Sequence, residues 1–393
     1  MRELGIIPDG ALLIVDGIIT EVGPARRIEN LRQAGAALEI NAAGRVVMPG
    51  FVDSHTHLIG GPPRLGDFEM RIGGASREEI EEAGGGIPAA VRAVRQWSTH
   101  KLELDAQRTI KQFTRHGTTT LEAKSGYGLD DATERKILRA LGALDGKPLD
   151  IHRTYLGAYR VPREFAGRAD EYIEWMCRHM LPVLRKRKLA RFVDVCCEEG
   201  AFTAAQGRRL LEAARELGFL LKVQAERSHR GALRLGVELG AVSIDHIEHV
   251  DREDIEMLAR SATIATLLPG SVFHLRRDRY PPARQLIDAG AAVALASNYN
   301  PGSSPTCSLP MMMSLACAQM RMTPAETVTA VTINGAHALR CADRAGSLEA
   351  GKPADLIMLN VPDYREIPYR FGMHLIAMTM KLGQPVFPRL GAS

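Results

Sequence analysis

The sequence predicts an α/β protein, a (β/α)8 TIM-type barrel flanked by a small β-sandwich domain built from both termini. Three observations support this fold class. Strand-like and helix-like segments alternate through the middle of the chain, as they do in parallel β/α units. The chain has 393 residues, which suits one large barrel with an accessory domain. Reactive side chains follow several predicted strands, where such barrels place their chemistry.

Eight segments have the apolar composition and length of barrel strands. Helical segments such as 204–217 and 252–259 separate them. A doubly wound open sheet is the alternative fold, but no Gly-x-Gly-x-x-Gly motif follows the first strand. The predicted strands span residues 50–58, 118–124, 150–156, 192–198, 219–225, 242–246, 263–268 and 292–297.

The terminal segments predict additional β-structure. Residues 11–23 have the pattern of two short strands around a turn at Asp16 and Gly17. Segment 345–360 supplies another turn and strand, and 374–387 is a further apolar run. These pieces are too small to bury separate cores, so we expect them to pair as one domain. The predicted domains are residues 1–48 together with 345–393, and residues 49–344.

The composition argues against several classes of protein. Apolar residues make up 45% of the chain and charged residues 24%, which argues against disorder. A net charge of +4 is small for this length, so we expect no nucleic-acid partner. Without a signal peptide or a run of ~20 apolar residues, the chain is predicted to be cytoplasmic, with no membrane partner. The six cysteines form no Cys-x-x-Cys pair, which predicts free thiols.

The strongest chemical signal is a His-x-His pair at the end of the first predicted strand. The segment PGFVDSHTH, residues 49–57, ends in His55 and His57. Because side chains alternate along a strand, both imidazoles face the same side, toward the barrel mouth. Neutral imidazole is a good ligand for zinc and for iron. We therefore predict one divalent metal ion, zinc or iron; the alternative is two structural histidines, which the Pro-Gly-Phe-Val-Asp context disfavours.

Longer strings resemble the amidohydrolase superfamily and, within it, the imidazolonepropionase family. The similarity covers nearly the whole chain. It implies an enzyme that opens a five-membered imidazolone ring by hydrolysis, a small-molecule substrate with a carboxylate, and a homodimer. The strings are residues 82–87 (EAGGGI), 124–129 (KSGYGL), 156–158 (LGA), 192–195 (FVDV), 245–249 (DHIEH), 300–305 (NPGSSP) and 362–372 (PDYREIPYRFG).

The resemblance implies roles for individual side chains. Arg64 matches the arginine that holds the substrate's carboxylate, a task suited to a guanidinium because it donates two parallel hydrogen bonds. Tyr127 matches a tyrosine that contacts the substrate. His246 matches the sixth-strand histidine that faces the reacting carbonyl. The positions that match metal ligands are His55 and His57, and those that match a ligand-holding loop are Asn300, Gly302 and Ser303.

Four positions depart from the family pattern. The fifth-strand motif His-Ala-Asp-Glu is Gln-Ala-Glu-Arg here, so that Gln224 replaces a metal-binding histidine and Arg227 replaces a catalytic-site glutamate. On the eighth strand, Asn298 replaces an aspartate that is both a metal ligand and a proton acceptor. On the third strand, Tyr159 replaces a histidine, and its hydroxyl is a possible hydrogen-bond donor there.

The departures change the predicted chemistry. The amide oxygens of Gln224 and Asn298 still suit a metal ion, but they are neutral and weaker than the groups they replace. Asn298 does not accept a proton at neutral pH, so another base is needed. Glu226, His229 and His246 are the candidates. The predicted metal ligands are His55, His57, Gln224 and Asn298; the predicted catalytic residues are His246, Asn298 and Tyr159; the predicted substrate-binding residues are Arg64, Tyr127, Tyr159, Arg227, Asn300, Gly302 and Ser303.

Three functions remain open at this stage. The first is a ring-opening hydrolase with His246 as its base. The second is a cyclodehydratase that closes an oxazole-type or benzoxazole-type ring. The third is a binding barrel without catalysis, which the retained ligand-contacting positions disfavour. We predict an amidohydrolase-type enzyme that makes or breaks a C–N (or C–O) bond of a small carboxylate-bearing five-membered heterocycle.

Overall fold

The computed structural model describes residues 1–198, 201–225 and 230–388. Strands and helices alternate along most of the chain. The strands are β1 (Gly10–Val15), β2 (Ile18–Pro24), β3 (Val47–Pro49), β4 (Phe51–Asp53), β5 (Thr118–Lys124), β6 (Asp150–Ala158), β7 (Phe192–Cys196), β8 (Leu220–Ala225), β9 (Ser243–His246), β10 (Ile264–Leu267), β11 (Val293–Leu295), β12 (Leu356–Leu359), β13 (Ile376–Lys381) and β14 (Gln384–Phe387).

The helices cover the outside of the barrel and its mouth. Among the described residues, none of them has the length and apolar composition needed to cross a membrane. They are α1 (Ala25–Glu29), α2 (Leu65–Ile72), α3 (Arg77–Glu82), α4 (Gly86–Gln96), α5 (Thr99–Arg115), α6 (Asp131–Leu144), α7 (Ala169–Trp175), α8 (Leu181–Lys186), α9 (Ala204–Glu216), α10 (Arg230–Glu238), α11 (Arg252–Ala259), α12 (Pro269–His274), α13 (Ala283–Asp288), α14 (Leu309–Met320), α15 (Pro324–Val331), α16 (Ile333–Ala338) and α17 (Glu366–Tyr369).

The strands from β4 to β11 form one eight-stranded sheet in chain order, and each strand pairs in parallel with the next. The first and last strands approach each other just beyond their ends. The amide of His57 donates to the carbonyl of Tyr299 at 2.8 Å, and the amide of Ser297 donates to Oδ1 of Asp53 at 3.0 Å. The predicted (β/α)8 barrel is therefore confirmed.

Strand lengths differ from the predictions mainly at the first strand. The strand predicted over 50–58 is only three residues long, Phe51–Asp53. The last barrel strand, β11, which lies next to it where the barrel closes, is equally short and cannot form a longer run of backbone hydrogen bonds with it. The segment that carries the His-x-His pair thus lies beyond the sheet, at its mouth. In contrast, β6 continues two residues past its predicted end at residue 156.

The terminal segments form two antiparallel sheets beside the barrel. β1 and β2 make a hairpin, and β3 joins β12, β13 and β14 in a four-stranded sheet. The hairpin turns at Asp16 (φ 50°) and Gly17 (φ 81°), both in the left-handed region that a type I′ turn needs. The amide of Ile19 bonds to the carbonyl of Lys352 at 2.9 Å and links the two sheets. The predicted domain boundary at residues 48 and 49 falls within β3.

The barrel wall separates an apolar layer from a charged interior. Val193 and Val195 flank Asp194 on β7, and all three are buried. Because side chains alternate along a strand, the valines face the helices while Asp194 faces the barrel axis. Leu221 and Val223 flank the buried Lys222 on β8 in the same way. The charged interior is what positions the candidate site.

Glu326 ties three distant segments together on the side of the barrel. Its buried carboxylate accepts from the amide of Thr323 at 2.8 Å, from Arg284 at 2.9 and 3.0 Å, and from Arg2 at 3.0 Å. Burial alone would raise the pKa of Glu326, but the hydrogen bonds from Arg284, Thr323 and Arg2 lower it to about 2. The ionised carboxylate therefore stabilises the fold.

We predict that Glu326→Gln lowers the free energy of unfolding by ~1–3 kcal/mol at pH 7, because charge-assisted hydrogen bonds are lost. A lowered pKa means that the stabilisation is complete above the ordinary glutamate pKa of 4.5 and disappears as the pH falls toward 2. Urea unfolding at pH 7 and near pH 3 measures both effects. Glu253→Gln, whose exposed carboxylate pairs with Arg234, is the control. An equal loss at both pH values would contradict the prediction.

Candidate functional site

The loops and strand ends at one face of the barrel carry every predicted site residue that the structure describes. His55 and His57 follow β4, and Asn298 follows β11. Gln224 and His246 lie near the ends of β8 and β9. Because the carboxyl ends of parallel strands meet at one face of a barrel, these side chains converge from segments far apart in the sequence. Tyr127 and Tyr159 follow β5 and β6 at the same face.

Three imidazoles lie together at the centre of this face. The ring centroid of His55 is 5.4 Å from that of His57 and 5.6 Å from that of His246. Nδ1 of His55 lies 2.6 Å from Oδ2 of Asp245, and a neutral ring donates its proton there, which leaves Nε2 as a lone pair. In the described part of the chain, Nε2 of His55 and Nδ1 of His57 are buried without a hydrogen-bond partner.

Both histidines of the first strand are held neutral. Burial, followed by the positive charge of Lys124, lowers the pKa of His55 well below its usual range. The same two causes lower the pKa of His57 to about 3. A neutral imidazole is the form that binds a metal ion. The two buried, unpartnered nitrogens therefore fit a divalent cation.

A network of buried ions lies beneath the imidazoles. Nζ of Lys124 is 2.8 Å from Asp194, 2.9 Å from Glu122 and 3.4 Å from Asp245. Nζ of Lys222 is 3.0 Å from Glu122 and 3.7 Å from Asp245. Burial would raise the pKa of Asp245, but Lys222 and Lys124 lower it well below its usual range. Three carboxylates thus face two ammonium groups, and the excess of negative charge favours a cation nearby.

The network also offers a second cluster with ligand-like spacing. His55, Glu122 and Asp245 each present one possible ligand atom, and these atoms lie within 4.8 Å of one another. However, Lys124 and Lys222 already place ammonium groups 2.9 and 3.0 Å from Oε2 of Glu122. Two fixed positive charges there would repel a metal ion. On the opposite side of the His55 ring, Nε2 has no partner among the described residues and faces neither ammonium group's ion pair.

The two amides that replace family ligands have defined orientations. Nε2 of Gln224 donates to Oδ2 of Asp194 at 2.8 Å, and an ionised carboxylate only accepts hydrogen bonds. The nitrogen of Gln224 must therefore face Asp194, which leaves its oxygen for a cation. Nδ2 of Asn298 donates to Ser271 at 2.7 Å. Its oxygen lies 3.3 Å from Nδ2 of Asn300 and is likewise the group left for a cation.

Arg64 lies against the loop that follows Asn298. A Cβ on Gly302 would overlap the Arg64 guanidinium, so any other residue there would displace the guanidinium from this position. Nε of Arg64 is buried without a partner among the described residues, and Nη1 is 3.5 Å from Oδ2 of Asp67. Asn300 holds the loop, because its Oδ1 accepts from the amides of Gly302 at 2.9 Å and Ser303 at 2.8 Å. The guanidinium thus has donors free for an anion.

Two tyrosines line the space between Arg64 and the imidazoles. The Tyr127 ring lies 5.6 Å from that of His57 and 5.7 Å from that of Tyr159, and Tyr159 lies 5.7 Å from His57. Burial raises the pKa of Tyr127, although Arg64 and Tyr159 act in the opposite direction. A protonated phenol is a hydrogen-bond donor. Tyr127 therefore links the anion-binding side of the cavity to its metal-binding side.

The backbone is strained where His246 enters the cavity. His246 (φ 81°) and Ile247 (φ 62°) are both left-handed, a conformation that β-branched residues rarely adopt. Such strain collects at functional sites. The strained turn directs Glu248 back under the imidazole, where Oε1 lies 3.4 Å from Nδ1 of His246. Glu248 is also buried, so its carboxylate faces the imidazole away from solvent.

Several functional side chains are not identified by the sequence analysis. A signal for three of them, Glu122, Lys124 and Lys222, exists because charged residues alternate with apolar ones in these strands. Glu122 and Lys124 alternate on β5 in this way, and Lys222 and Gln224 on β8. The residues that the analysis missed are Glu122, Lys124, Asp194, Lys222, Asp245 and Glu248. The candidate residues Glu226, Arg227 and His229 lie outside the described residues, so the structure does not place them.

Comparisons with known proteins agree with this architecture. The model of the amidohydrolase family matches residues 46–386. The chain is 45% identical to the imidazolonepropionase of Parabacteroides distasonis over 98% of this chain and 92% of that protein. It is 42% identical to the imidazolonepropionase of Brevibacillus brevis over 98% of this chain and 91% of that protein.

A solved structure shares the fold. It is the adenosine deaminase of Xanthomonas campestris with bound zinc, at a TM-score of 0.71 and 17% identity, and the alignment covers 96% of this chain and 88% of that one. At this identity the likeness concerns the fold alone. The family model and the relatives at more than 40% identity show that the chain belongs to the amidohydrolase family, in the group that contains the imidazolonepropionases.

Proposed function

We propose that this chain is a metal-dependent enzyme that breaks or makes a C–N (or C–O) bond of a small carboxylate-bearing five-membered heterocycle. One observation carries the proposal: two buried imidazole nitrogens without partners, on His55 and His57, lie at the same barrel face as the Arg64 guanidinium, whose Nε is also buried without a partner among the described residues. Tyr127 stands between them, since it packs against His57 and the charge of Arg64 acts on its pKa. Membership of the amidohydrolase family supports the same chemistry.

The metal ion would be held by His55 and His57, with the amide oxygens of Gln224 and Asn298. A bound divalent ion supplies Lewis-acid polarisation of the substrate's carbonyl group. Imidazole suits both zinc and iron, and metal analysis of the purified protein distinguishes the two. Because this donor set contains no anion, we expect weaker binding than in relatives with an aspartate.

The remaining residues orient the substrate and move protons. Arg64 would take the carboxylate through its unpartnered donors, and Gly302 leaves the room that the guanidinium needs. Tyr127 and Tyr159 would donate hydrogen bonds to the ring or its carbonyl. His246 would carry the proton, with Glu248 stabilising the charged imidazole. The role of Arg227 as a substrate contact, and a homodimer, stay predictions.

The direction of the reaction depends on Asn298. Ring opening requires a base for the attacking water, and His246 is the described candidate since Asn298 is neutral. Ring closure requires an amine or hydroxyl to attack an amide or ester carbonyl while water leaves. The Asn298 nitrogen donates to Ser271, and the neutral amide does not accept a proton from water; this loss of a water-activating acid favours ring closure as a second candidate.

Turnover assays test the proposed function. We expect the protein to consume imidazolonepropionate, followed by its ultraviolet band. We also expect Asn298→Asp to raise that rate by about tenfold or more, because a proton acceptor is restored. Asn30→Asp, on an exposed residue, is the control. Loss of one water from an ortho-hydroxyanilide, with no effect of Asn298→Asp on hydrolysis, would favour ring closure, and no turnover of either compound would contradict the proposal.

Metal binding provides a second test. We expect about one divalent ion per chain, lost in His55→Ala and His57→Ala. The double variant Gln224→His with Asn298→Asp should bind zinc about tenfold or more tightly, because an imidazole and a carboxylate replace neutral amides. Competition with a chelator measures the affinity, and Gln285→His with Asn30→Asp is a matched exposed pair. Unchanged affinity would mean that these positions do not face the ion.

A third test addresses Arg64. We expect Arg64→Met to raise KM by about 10- to 100-fold, since a charge-assisted hydrogen-bond pair contributes ~1.5–3 kcal/mol. The effect on kcat should be smaller, because the carboxylate is remote from the reacting bond. Arg252→Met, on a side chain that is 92% exposed, is the control. A loss confined to kcat would show that Arg64 does not hold the substrate's carboxylate.

A further inference from the structure

Positive side chains gather where α2 meets the end of α12 at the barrel mouth. Each helix follows a barrel strand, α2 after β4 and α12 after β10. The Phe68 ring of α2 stacks on the His274 ring of α12, with centroids 5.2 Å apart and planes at 12°. Arg276 donates to the carbonyl of Ile72 at 3.4 Å. This contact places Arg71, one residue before Ile72, at the same junction.

Among the described residues, the charges that act on Arg71 and His274 are those of the two arginines, Arg64 and Arg71, and of one carboxylate, that of Asp67. Asp67 is the acid of α2 that faces Arg64, and its Oδ2 also accepts from the amide of Gly86 at 3.0 Å. Nη1 of Arg71 is shielded from solvent and has no hydrogen-bond partner within the described ranges. Buried donors are normally satisfied, and leaving one unsatisfied costs free energy. An anionic group of a ligand would satisfy this donor.

Burial and the positive charges at the junction lower the pKa values of Arg71 and His274. Burial, followed by the charge of Arg64, lowers the pKa of Arg71. Burial, then Arg71 and Arg64, lowers the pKa of His274. An anion placed among these three groups would offset their mutual repulsion. His274 offers a ring N–H to such an anion whether it is neutral or charged.

The spacing along α2 suits two separate anionic groups. Seven residues separate Arg64 from Arg71, which is two helical turns or about 10 Å along the axis and places both on one face. The side chains of Arg64 and Arg71 are long and flexible, so their guanidinium groups can contact two anionic groups that lie less than about 10 Å apart. Arg64 faces the Asn300–Ser303 loop through Gly302, while Arg71 lies farther out, beside His274.

We propose that Arg71 and His274 form a second anion-binding subsite outside Arg64, so that the site prefers compounds with a second carboxylate over those, such as imidazolonepropionate, that have only the one held by Arg64. This inference rests on the proposed function, because it takes Arg64 as the first carboxylate contact. The heterocycle would lie toward His55 and His57, and its acidic substituents would extend along α2 toward the solvent.

Binding of two simple acids to the purified full-length protein tests the subsite. Glutarate has two carboxylates and butyrate has one on a chain of similar length. By isothermal titration calorimetry, we expect glutarate to bind at least about tenfold more tightly, which corresponds to about 1.4 kcal/mol. Arg71→Met should reduce that ratio to about one and leave butyrate affinity unchanged. Arg252→Met, far from the junction on α11, should keep the wild-type ratio.

The variants separate this proposal from the previous one. Arg64→Met should weaken both acids, and if it weakens neither, the assignment of Arg64 and the proposed function are in error. If Arg64→Met weakens both acids while Arg71→Met keeps the glutarate preference, only the second subsite is wrong. Should Arg71→Met fail to fold, the wild type still decides, because equal affinities for glutarate and butyrate would overturn the proposal.

Discussion

The pairing of charges inside the barrel is the constraint on which the rest of the site depends. Lys124 and Lys222 are fully buried, and so are the carboxylates of Glu122, Asp194 and Asp245 around them. Buried charges are tolerated only when partners compensate for their lost hydration. Here the partners come from four different strands, so the ion pairs form only when the sheet has curled into a barrel. The imidazoles then rest on a charged layer whose geometry is set by this pairing.

The same charged layer helps to orient the side chains at the ends of the barrel strands. Asp194 accepts hydrogen bonds from Lys124 and from Gln224, and it would accept equally from an imidazole N–H at that position. The carboxylate thus orients whichever donor occupies the strand end. Asn298 keeps its place through Ser271 in a similar way. The side chains of Gln224 and Asn298 are thus oriented by hydrogen bonds to neighbouring residues.

The cavity divides into two regions with opposite electrostatic character. The imidazole region lies above an excess of carboxylates and suits a cation, whereas the α2 region carries Arg64 and Arg71 and suits anions. Tyr127 stands at the boundary and contacts His57. A substrate that bridges the two regions is oriented by charge before any reacting group is engaged. The strained backbone at His246 lies on the metal side, where proton movement is proposed.

The sequence alone determines the features that depend on local pattern. Alternating strands and helices, the Asp16-Gly17 hairpin and the His55–His57 pair at a strand end follow from side-chain periodicity and turn preferences. Tertiary structure decides what depends on partners across the barrel. The contact between His55 and Asp245 joins residues 190 positions apart, and no local pattern encodes it. Neighbours on other strands and loops also set the orientation of the Gln224 and Asn298 amides, the partners of the buried lysines and the place of Arg71 at the α2–α12 junction. These features therefore exist only once the barrel closes.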